Sequence, residues 1–347
     1  MPEALPGELT TMESGRLIRQ VAAFGSPHPV LVLTGGDGLQ RPDIFELAAL
    51  ATGLGLQVAM SPSVTPQLQT PSFDAMRKAG VRAVSVSLDG AEAGTHEHIR
   101  GIAGHFAATL AAVRAAAAAG LRVQVNTTVM RENVEELPEL AALLARLKVD
   151  IWEAFFLVVT GRAAADSQLT PTECEEVCHL LFDASGFGFV VRTVEAPFFR
   201  RVVAWRRELG ASDPGAVAGI FGLGPSYVRS ATRLRAPLGE PSHAPAAQSL
   251  FTRDGAGIIF IAYNGDVYPA GFLPLALGNV RQKALAELYR DHPLLQAIRE
   301  GDFRGRCRVC ECRQLCGGSR SRAFASSGDP LGEDPACAYR PRAGVGI

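Results

Sequence analysis

The segment VRAVSVSLDG, residues 81–90, has the pattern of a buried β-strand that ends at a polar turn. Its apolar side chains alternate, and Asp89-Gly90 follows them directly. A helix pattern with a proline in its first turn comes before the segment and stops at Gly80. An alanine-rich helix pattern comes after it and stops at Gly120, where another apolar strand begins. The segment therefore lies inside a strand–helix–strand repeat.

The same alternation extends over the first half of the chain. Helix patterns separate five predicted strands: Val30–Leu33, Leu56–Met60, Val81–Leu88, Leu121–Val129 and Ile151–Val159. Repeats of this kind form parallel strands joined by right-handed crossovers. They build either a doubly wound sheet or a barrel, so the predicted fold class is α/β.

Polar residues and glycines follow these predicted strands. The positions are Gly35-Gly36-Asp37, Ser61, Ser87, Asp89, Asn126 and Gly161-Arg162. In both architectures, ligand-binding side chains lie at the carboxyl ends of the strands. We therefore expect a small-molecule site there, although Ser87 and Asp89 could simply cap the segment that follows. Nearby, His96, His98 and His105 have no partners at metal-ligand spacing and are interpreted as loop or surface residues.

The alternation ends near residue 195, and a helix is predicted over Ala196–Leu209. Its arginines are interpreted as a solvated face: Arg200, Arg201, Arg206 and Arg207. Residues 210–249 are rich in Gly, Pro, Ala and Ser and are interpreted as a flexible or loop-rich linker. A hairpin with its turn at Asn264-Gly265 and a helix over about 282–299 follow.

Cysteines dominate the last part of the chain. Five of the seven lie in the segment CRVCECRQLC, residues 307–316, and at Cys337. The spacing C-x2-C-x5-C with a distant fourth cysteine supplies enough thiolates for a tetrahedral zinc ion or a [4Fe-4S] cluster. On spacing alone, zinc is favoured. Cys174 and Cys178 are interpreted as buried small hydrophobic residues.

The composition excludes several classes of function. The 347 residues are 47% hydrophobic, which is enough for a substantial core, and carry a net charge of -1. We therefore expect neither nucleic acid nor a membrane as partner. There is no signal-peptide pattern and no apolar run of transmembrane length, so a cytoplasmic location is expected. In a reducing compartment, clustered cysteines indicate metal ligands rather than disulfides.

Several short signals follow one another along the chain: LTGGD (33–37), VSLDG (86–90), His96 with Arg100-Gly101, NGDVYP (264–269), GNV (278–280) and the cysteine cluster with Gly317-Gly318. Taken together in this order, they make the chain resemble radical S-adenosylmethionine (radical SAM) enzymes with a C-terminal SPASM or twitch domain, in the subgroup that modifies haem or peptides. The resemblance covers nearly the whole chain. It implies a partial (β/α)6 TIM-like barrel without its first strand over residues 1–195. A helix and linker over 196–250 and a small α+β SPASM/twitch domain with a metal site over 251–347 would follow.

The resemblance also implies contacts with S-adenosylmethionine. Gly35-Gly36-Asp37 matches the turn that binds its amino group, where glycine permits close approach of the backbone and an acidic side chain meets an ammonium. Ser87 and Asp89 match positions near the ribose, and Asn126 is a weaker candidate for the same pocket.

In the C-terminal domain, the resemblance implies one auxiliary cluster. Its ligands would be the outer-cluster cysteines: Cys307, Cys310, Cys316 and Cys337. This match favours an auxiliary [4Fe-4S] cluster over zinc. The two positions that would hold an inner cluster are Ala270 and Arg320, so that cluster is expected to be absent, with Cys312 as a spectator.

One motif of these enzymes does not occur in the sequence. They hold a catalytic [4Fe-4S] cluster with a C-x3-C-x2-C loop after the first strand, whereas the first cysteine here is Cys174. We expect that loop and strand to lie upstream of Met1; loss of the catalytic cluster is the alternative explanation.

If the loop is present, the resemblance implies radical modification of a peptide or tetrapyrrole-like substrate, with an electron donor as partner. No catalytic acid or base is assigned. The alternative function is a non-catalytic binding protein whose four-cysteine zinc or iron–sulfur site only supports the structure.

Overall fold

A sheet of six parallel strands organises the fold in the computed structural model, which describes residues 5–160, 165–248 and 252–341. Neighbours in the sheet follow the order of the chain. The strands are β1 (Val30–Leu33), β2 (Gln57–Met60), β3 (Ala83–Ser87), β4 (Arg122–Val129), β5 (Ile151–Phe156) and β6 (Val190–Val194). Each connection between two consecutive strands contains helix, which is the expected arrangement for parallel pairing. This confirms the predicted α/β class and partial barrel.

Helices cover one face of this sheet. They are α1 (Thr11–Ala22), α2 (Ile44–Gly53), α3 (Thr70–Lys78), α4 (Ala93–Arg100), α5 (His105–Ala118), α6 (Leu137–Leu147) and α7 (Pro171–Ala184). Local sequence fixes several helix starts: Thr10 with Glu13, and Thr170 with Glu173, form reciprocal capping boxes. The apolar faces of these helices pack on the buried residues of the strands to form one core.

The other face of the sheet is concave and polar. Along β4, Val123, Val125 and Val129 are buried in the core, whereas Gln124 and Asn126 between them are half-buried. Successive side chains of a strand point to opposite faces, so the second set lines the inside of the half-barrel. Register places Ser87 beside Asn126, and Asn126 beside Glu153.

The C-terminal unit contains short strands and short helices. Its strands are β7 (Arg253–Asp254), β8 (Gly257–Ile258), β9 (Phe260–Ile261), β10 (Asp266–Tyr268) and β11 (Gly278–Asn279). Its helices are α11 (Leu285–Asp291), α12 (Pro293–Glu300), α13 (Gly305–Val309) and α14 (Arg320–Ser327). The predicted helix over 282–299 is divided because His292 is extended and Pro293 begins a new helix.

Two predictions about residues 196–250 were wrong. The supposed linker contains two helices, α9 (Pro214–Phe221) and α10 (Pro225–Leu238), and α10 packs on α6 and α7. The preceding helix is α8 (Phe199–Leu209), whose arginines were expected to be solvated. Three of the four are buried instead: Arg200, Arg201 and Arg206. The domain boundaries themselves stay a prediction.

Two further elements were missed. Strand β6 and helix α4 were not predicted, because Val190–Val194 has weak alternation and α4 is polar along most of its length. The predicted strand-end residues Gly161 and Arg162 lie outside the described residues.

In the parts of the chain that the structure describes, no single helix has both the length and the apolar character needed to cross a membrane. The bent pair Ala93–Arg100 and His105–Ala118, with 100° between its helices, meets both requirements only when the two are taken together.

Candidate functional site

The turn after β1 is held by the loop after β2. Gly35 and Gly36 have φ values of +95° and +52°, which glycine adopts most readily, and a Cβ on either would meet no atom of the described residues within 4 Å. Ser63 donates its hydroxyl to the Gly36 carbonyl at 2.7 Å, and Thr65 donates to the Asp37 carboxylate at 3.1 Å. The turn therefore offers exposed backbone beside a positioned carboxylate, which suits a ligand with an ammonium group.

Asp89, immediately after β3, is almost fully buried. One of its carboxylate oxygens accepts the Thr128 amide at 2.7 Å, and the other pairs with the Arg100 guanidinium at 2.6 Å. Burial raises the pKa of this carboxyl, and Arg100 opposes the shift. Both oxygens thus bind protein groups and order the loop, while the role of Asp89 as a ribose contact stays a prediction.

Two histidines missed by the sequence interpretation connect these loops. His96 is fully buried and His105 nearly so, not exposed as expected. The Asp89 amide donates to His96 Nδ1 at 3.0 Å, so His96 must carry its proton on Nε2, which contacts His105 Nδ1 at 2.8 Å. His105 in turn bonds to the backbone of Val64, next to Ser63. We call His96 and His105 the histidine relay; it links the loops after β2 and β3. The only sequence signal for it was the position of His96 in the family motif.

The concave face carries a hydrogen-bonded polar row in the middle of the sheet. Gln124 Nε2 donates to Asn126 Oδ1 at 2.8 Å and to Glu153 Oε2 at 2.7 Å. Glu153 lies beside Arg192 of β6. Burial raises the pKa of the Glu153 carboxyl, and Arg192 offsets the shift. Ser87 and Asn126 are both predicted ligand contacts. They lie side by side on the concave inner face of the half-barrel, and we call the space that this face encloses the lumen.

Aromatic side chains lie close to this polar row. Phe155 is on the same face of β5 as Glu153, since the two are separated by one residue. It meets Phe272 of the C-terminal unit edge to face, with ring centroids 6.3 Å apart. The lumen therefore combines polar, charged and aromatic surfaces.

The junction between the sheet and the C-terminal unit is polar and buried. Glu195 follows β6 with a left-handed backbone, φ +58°, which is rare for a residue with a side chain. The Ser319 hydroxyl donates to its carboxylate, and Arg322 donates to its carbonyl at 2.7 Å. Burial raises the pKa of Glu195 to about 8, and the nearby charge of Asp254 adds to the shift.

The predicted metal ligands lie around the two glycines that follow Cys316. The Gly318 amide donates to Cys316 Sγ at 3.4 Å, and a Cβ on Gly318 would lie 3.5 Å from Cys307 Sγ. The Cys310 and Cys312 thiols share a hydrogen bond, which lowers the pKa of Cys310 to about 7. Burial raises the pKa of Cys316 to about 12. Cys337 lies close enough to Cys316 that a charged Cys337 thiolate contributes to the raised pKa of Cys316.

Among the described residues, no three His, Cys, Asp or Glu side chains are arranged as a single metal ion would require. The cysteine surroundings nevertheless suit an anionic group. Arg320 is fully buried, and its Nη2 has no hydrogen-bond partner in the described structure. A thiolate or sulfide would supply such a partner, so the residues present fit an iron–sulfur cluster. The two other cysteines, Cys174 and Cys178, are buried as predicted.

The protein is of a class that combines a parallel α/β half-barrel, with polar residues at the carboxyl ends of its strands, and a cysteine-rich C-terminal unit. Comparisons with known proteins give its family. The Radical SAM superfamily profile matches residues 4–144, and SPASM, an iron-sulfur cluster-binding domain, matches residues 254–313. An AdoMet-dependent heme synthase of Methanosarcina barkeri is 32% identical over 96% of this chain and 89% of that protein. One of Nitratidesulfovibrio vulgaris is 34% identical over 98% and 86%. The chain belongs to the radical SAM family with a C-terminal SPASM domain.

More distant relatives include a pre-heme d1 synthase of Dinoroseobacter shibae, 29% identical over 96% of this chain and 79% of that protein. A PqqA peptide cyclase of a Methylobacterium species is 27% identical over 96% and 79%. Among solved structures, SuiB of Streptococcus suis superposes with a TM-score of 0.65 over 94% of this chain and 70% of the SuiB chain. The two sequences are only 15% identical, so this likeness shows a shared fold and nothing more.

These findings confirm the predicted family, enzyme class and cofactor set, S-adenosylmethionine and [4Fe-4S]. The reaction class is radical modification of a tetrapyrrole or a peptide. The individual cofactor contacts stay predictions.

Proposed function

We propose that this chain modifies a carboxylated tetrapyrrole by S-adenosylmethionine-dependent radical chemistry. Three AdoMet-dependent heme synthases are 32–34% identical to this chain, whereas a PqqA peptide cyclase is 27% identical. A tetrapyrrole is a flat apolar ring that carries anionic carboxylates. It requires an aromatic surface and a cation in one lumen.

The observation that carries the choice is the lumen itself. Phe155 and Phe272 supply aromatic surface, and the half-buried Arg192 lies on the same face one strand away. Arg192 is held by a hydrogen bond from its Nε to Gln248 Oε1 at 2.9 Å. Its terminal nitrogens have no hydrogen-bond partner among the described residues and could bind a carboxylate. Burial lowers the pKa of Arg192, and the charge of the neighbouring Glu153 opposes this, which favours the charged guanidinium in the absence of substrate.

The carboxyl ends of the barrel strands and the C-terminal unit would hold the cofactors. Gly35, Gly36 and Asp37 would bind the amino acid part of S-adenosylmethionine, and Ser87 and Asn126 would contact its polar remainder. Cys307, Cys310, Cys316 and Cys337 would hold the auxiliary [4Fe-4S] cluster. Reductive cleavage of S-adenosylmethionine supplies the radical in this family, with electrons from a separate donor protein.

Substrate class can be tested by binding alone. Coproporphyrin, a tetrapyrrole with four carboxylates, is titrated into the chain and its absorption band is followed. We expect saturable binding, weakened roughly tenfold in Arg192→Gln because a hydrogen bond to a charged group contributes about 1.5 kcal/mol or more. Arg304→Gln, at an exposed arginine of the C-terminal unit, is the matched control.

Phe272→Ala should also weaken binding and shift the absorption band less. Equal affinity of wild type and both lumen variants would refute the assignment of the lumen. Binding of a peptide in preference to coproporphyrin would move the chain to the peptide-modifying branch.

A further inference from the structure

Three arginines around the cysteine site have no carboxylate partner among the described residues. Arg200 and Arg320 are buried, and Arg253 is half-buried with a buried Nε. We call these three the arginine collar. Two neighbouring arginines differ from them, because Arg201 pairs with Glu175 at 2.6 Å and Arg322 pairs with Asp334 at 3.0 Å.

The collar arginines donate only to backbone carbonyls in the described structure. Arg200 bonds to Leu315 and Thr252, and Arg253 bonds to Ile298 and Gln314. Arg320 bonds to the carbonyls of Gly318, Pro330 and Gly332, at 2.6 to 3.2 Å. Carbonyl dipoles orient a guanidinium but leave its charge uncompensated.

The collar surrounds the ligand segment closely. A Cβ on Gly317 would lie 2.9 Å from Arg253 Nη1, and one on Gly318 would lie 2.6 Å from Arg320 Nη2. These glycines directly follow Cys316, and their absent side chains leave room for two guanidinium groups. Phe303 lies next to both, with the Arg320 guanidinium 4.5 Å and the Arg253 guanidinium 5.4 Å from its ring centroid.

The collar arginines also repel one another. The pKa of Arg200 is lowered to about 10, chiefly by burial; a Cys316 thiolate would oppose this shift, and the charge of Arg253 contributes to it. Burial lowers the pKa of Arg253, and Arg320 adds to that effect. Like charges kept together in a dry environment are costly unless an anion lies among them.

We propose that the arginine collar balances the negative charge of the auxiliary cluster and raises its reduction potential. The inference rests on the proposed assignment of that cluster to Cys307, Cys310, Cys316 and Cys337. An iron–sulfur core with four thiolates is anionic, and one-electron reduction makes it more so, so nearby cations favour the reduced form. Arg320 stands where the family places an inner-cluster ligand. Arg320 would therefore replace a ligand of the inner cluster and, in its place, provide positive charge near the outer cluster.

The test measures the cluster potential in protein reconstituted anaerobically with iron and sulfide. Arg320→Met removes the charge at similar length, Arg320→Lys keeps it, and Arg304→Gln removes an exposed arginine whose side chain is 69% accessible. Electron paramagnetic resonance during a redox titration gives each midpoint. We expect a more negative midpoint in Arg320→Met and in Arg200→Met, and values near wild type in Arg320→Lys and Arg304→Gln. Equal midpoints for Arg320→Met and Arg304→Gln would overturn the proposal.

A second measurement applies if Arg320→Met loads poorly. The melting temperature is measured with and without the cluster, and the gain on loading is compared between variants. We expect a smaller gain in Arg320→Met than in wild type, whereas a purely structural role for Arg320 predicts equal gains and would overturn the collar. Iron content of the wild type separates the two hypotheses: no iron uptake rejects the cluster assignment itself, whereas uptake with unchanged midpoints and gains rejects only the collar.

Discussion

Replacing His96 should destabilise the loop that carries Asp89. His96 is fully buried, accepts the Asp89 amide and contacts His105. In His96→Leu the Asp89 amide and His105 Nδ1 lose their partners. A buried polar group left without a partner costs about 1–3 kcal/mol. Because Thr109 lies 3.3 Å from His105 Nδ1 and can compensate in part, we expect a loss of about 3 kcal/mol of unfolding free energy.

Two variants make the expectation specific. His96→Asn can place its side-chain oxygen where Nδ1 was, so it should restore the bond from Asp89 but not the contact with His105, and lose about half as much. His98 is exposed on the same helix, so His98→Gln should change stability by no more than about 0.5 kcal/mol.

Urea unfolding gives the free energies, and hydrogen exchange gives the protection of the Asp89 amide. A loss in His96→Leu no larger than in His98→Gln would refute the argument, as would an Asp89 amide whose protection is unchanged.

The same residue predicts a dependence on pH. Burial lowers the pKa of His96 from 6.5 to about 4, with His105 and Arg100 adding to the shift. The unfolded chain therefore binds the proton more readily than the folded one. Stability from the neutral ring is complete above pH 6.5 and is lost as pH falls towards 4, by about 3 kcal/mol. His96→Asn should show a flatter profile over that interval, and a profile as steep as that of wild type would contradict the assignment.

Three further predictions concern other parts of the molecule. Cys310→Ala should reduce bound iron after reconstitution while Cys312→Ala should not; equal iron in both would contradict the ligand assignment. Glu195 has a raised pKa, so its folded form holds a proton that the unfolded form releases, and stability should fall as pH rises from about 4.5 to 8. Glu195→Gln should remove that fall in thermal melts, and a fall that persists would exclude Glu195 as its source. Gly36→Ala should cost about 1 kcal/mol from its positive φ alone, since no atom crowds the new methyl, and a much larger loss in urea unfolding would show a contact not accounted for.

Local patterns predicted the alternation of parallel strands and helices well, and the family resemblance implied that these strands form a partial barrel. The strand at Ala83–Ser87 alternates apolar and small residues, and glycines at positions 80 and 120 end the helices beside it. These signals depend only on residues close together in the chain, so strands and helices can be predicted from them without knowledge of the fold. The linker was mispredicted because Gly, Pro and Ser also occur in α9 and α10, where prolines begin the helices and packing on α6 and α7 outweighs weak propensity.

Burial of charge was not predictable in the same way. Arg201 and Arg206 have the pattern of an exposed helix face, yet carboxylates from α7 pair with both, Glu175 with the first and Asp183 with the second. A sequence pattern records which residues repeat, not which distant groups compensate them.

The sequence by itself determined the strand–helix alternation, the glycine turn after β1 and the spacing of the cysteines, because strand period, helix ends and thiol count are properties of neighbouring residues. The half-barrel, as opposed to a doubly wound sheet, was implied only by the family resemblance. Only the tertiary structure decided that His96 and His105 join two loops. It also decided that Arg200, Arg253 and Arg320 lie around the cysteines with no carboxylate partner among the described residues. Those arrangements depend on residues far apart in the chain. Their energies come from shared burial, which is set only when the elements pack.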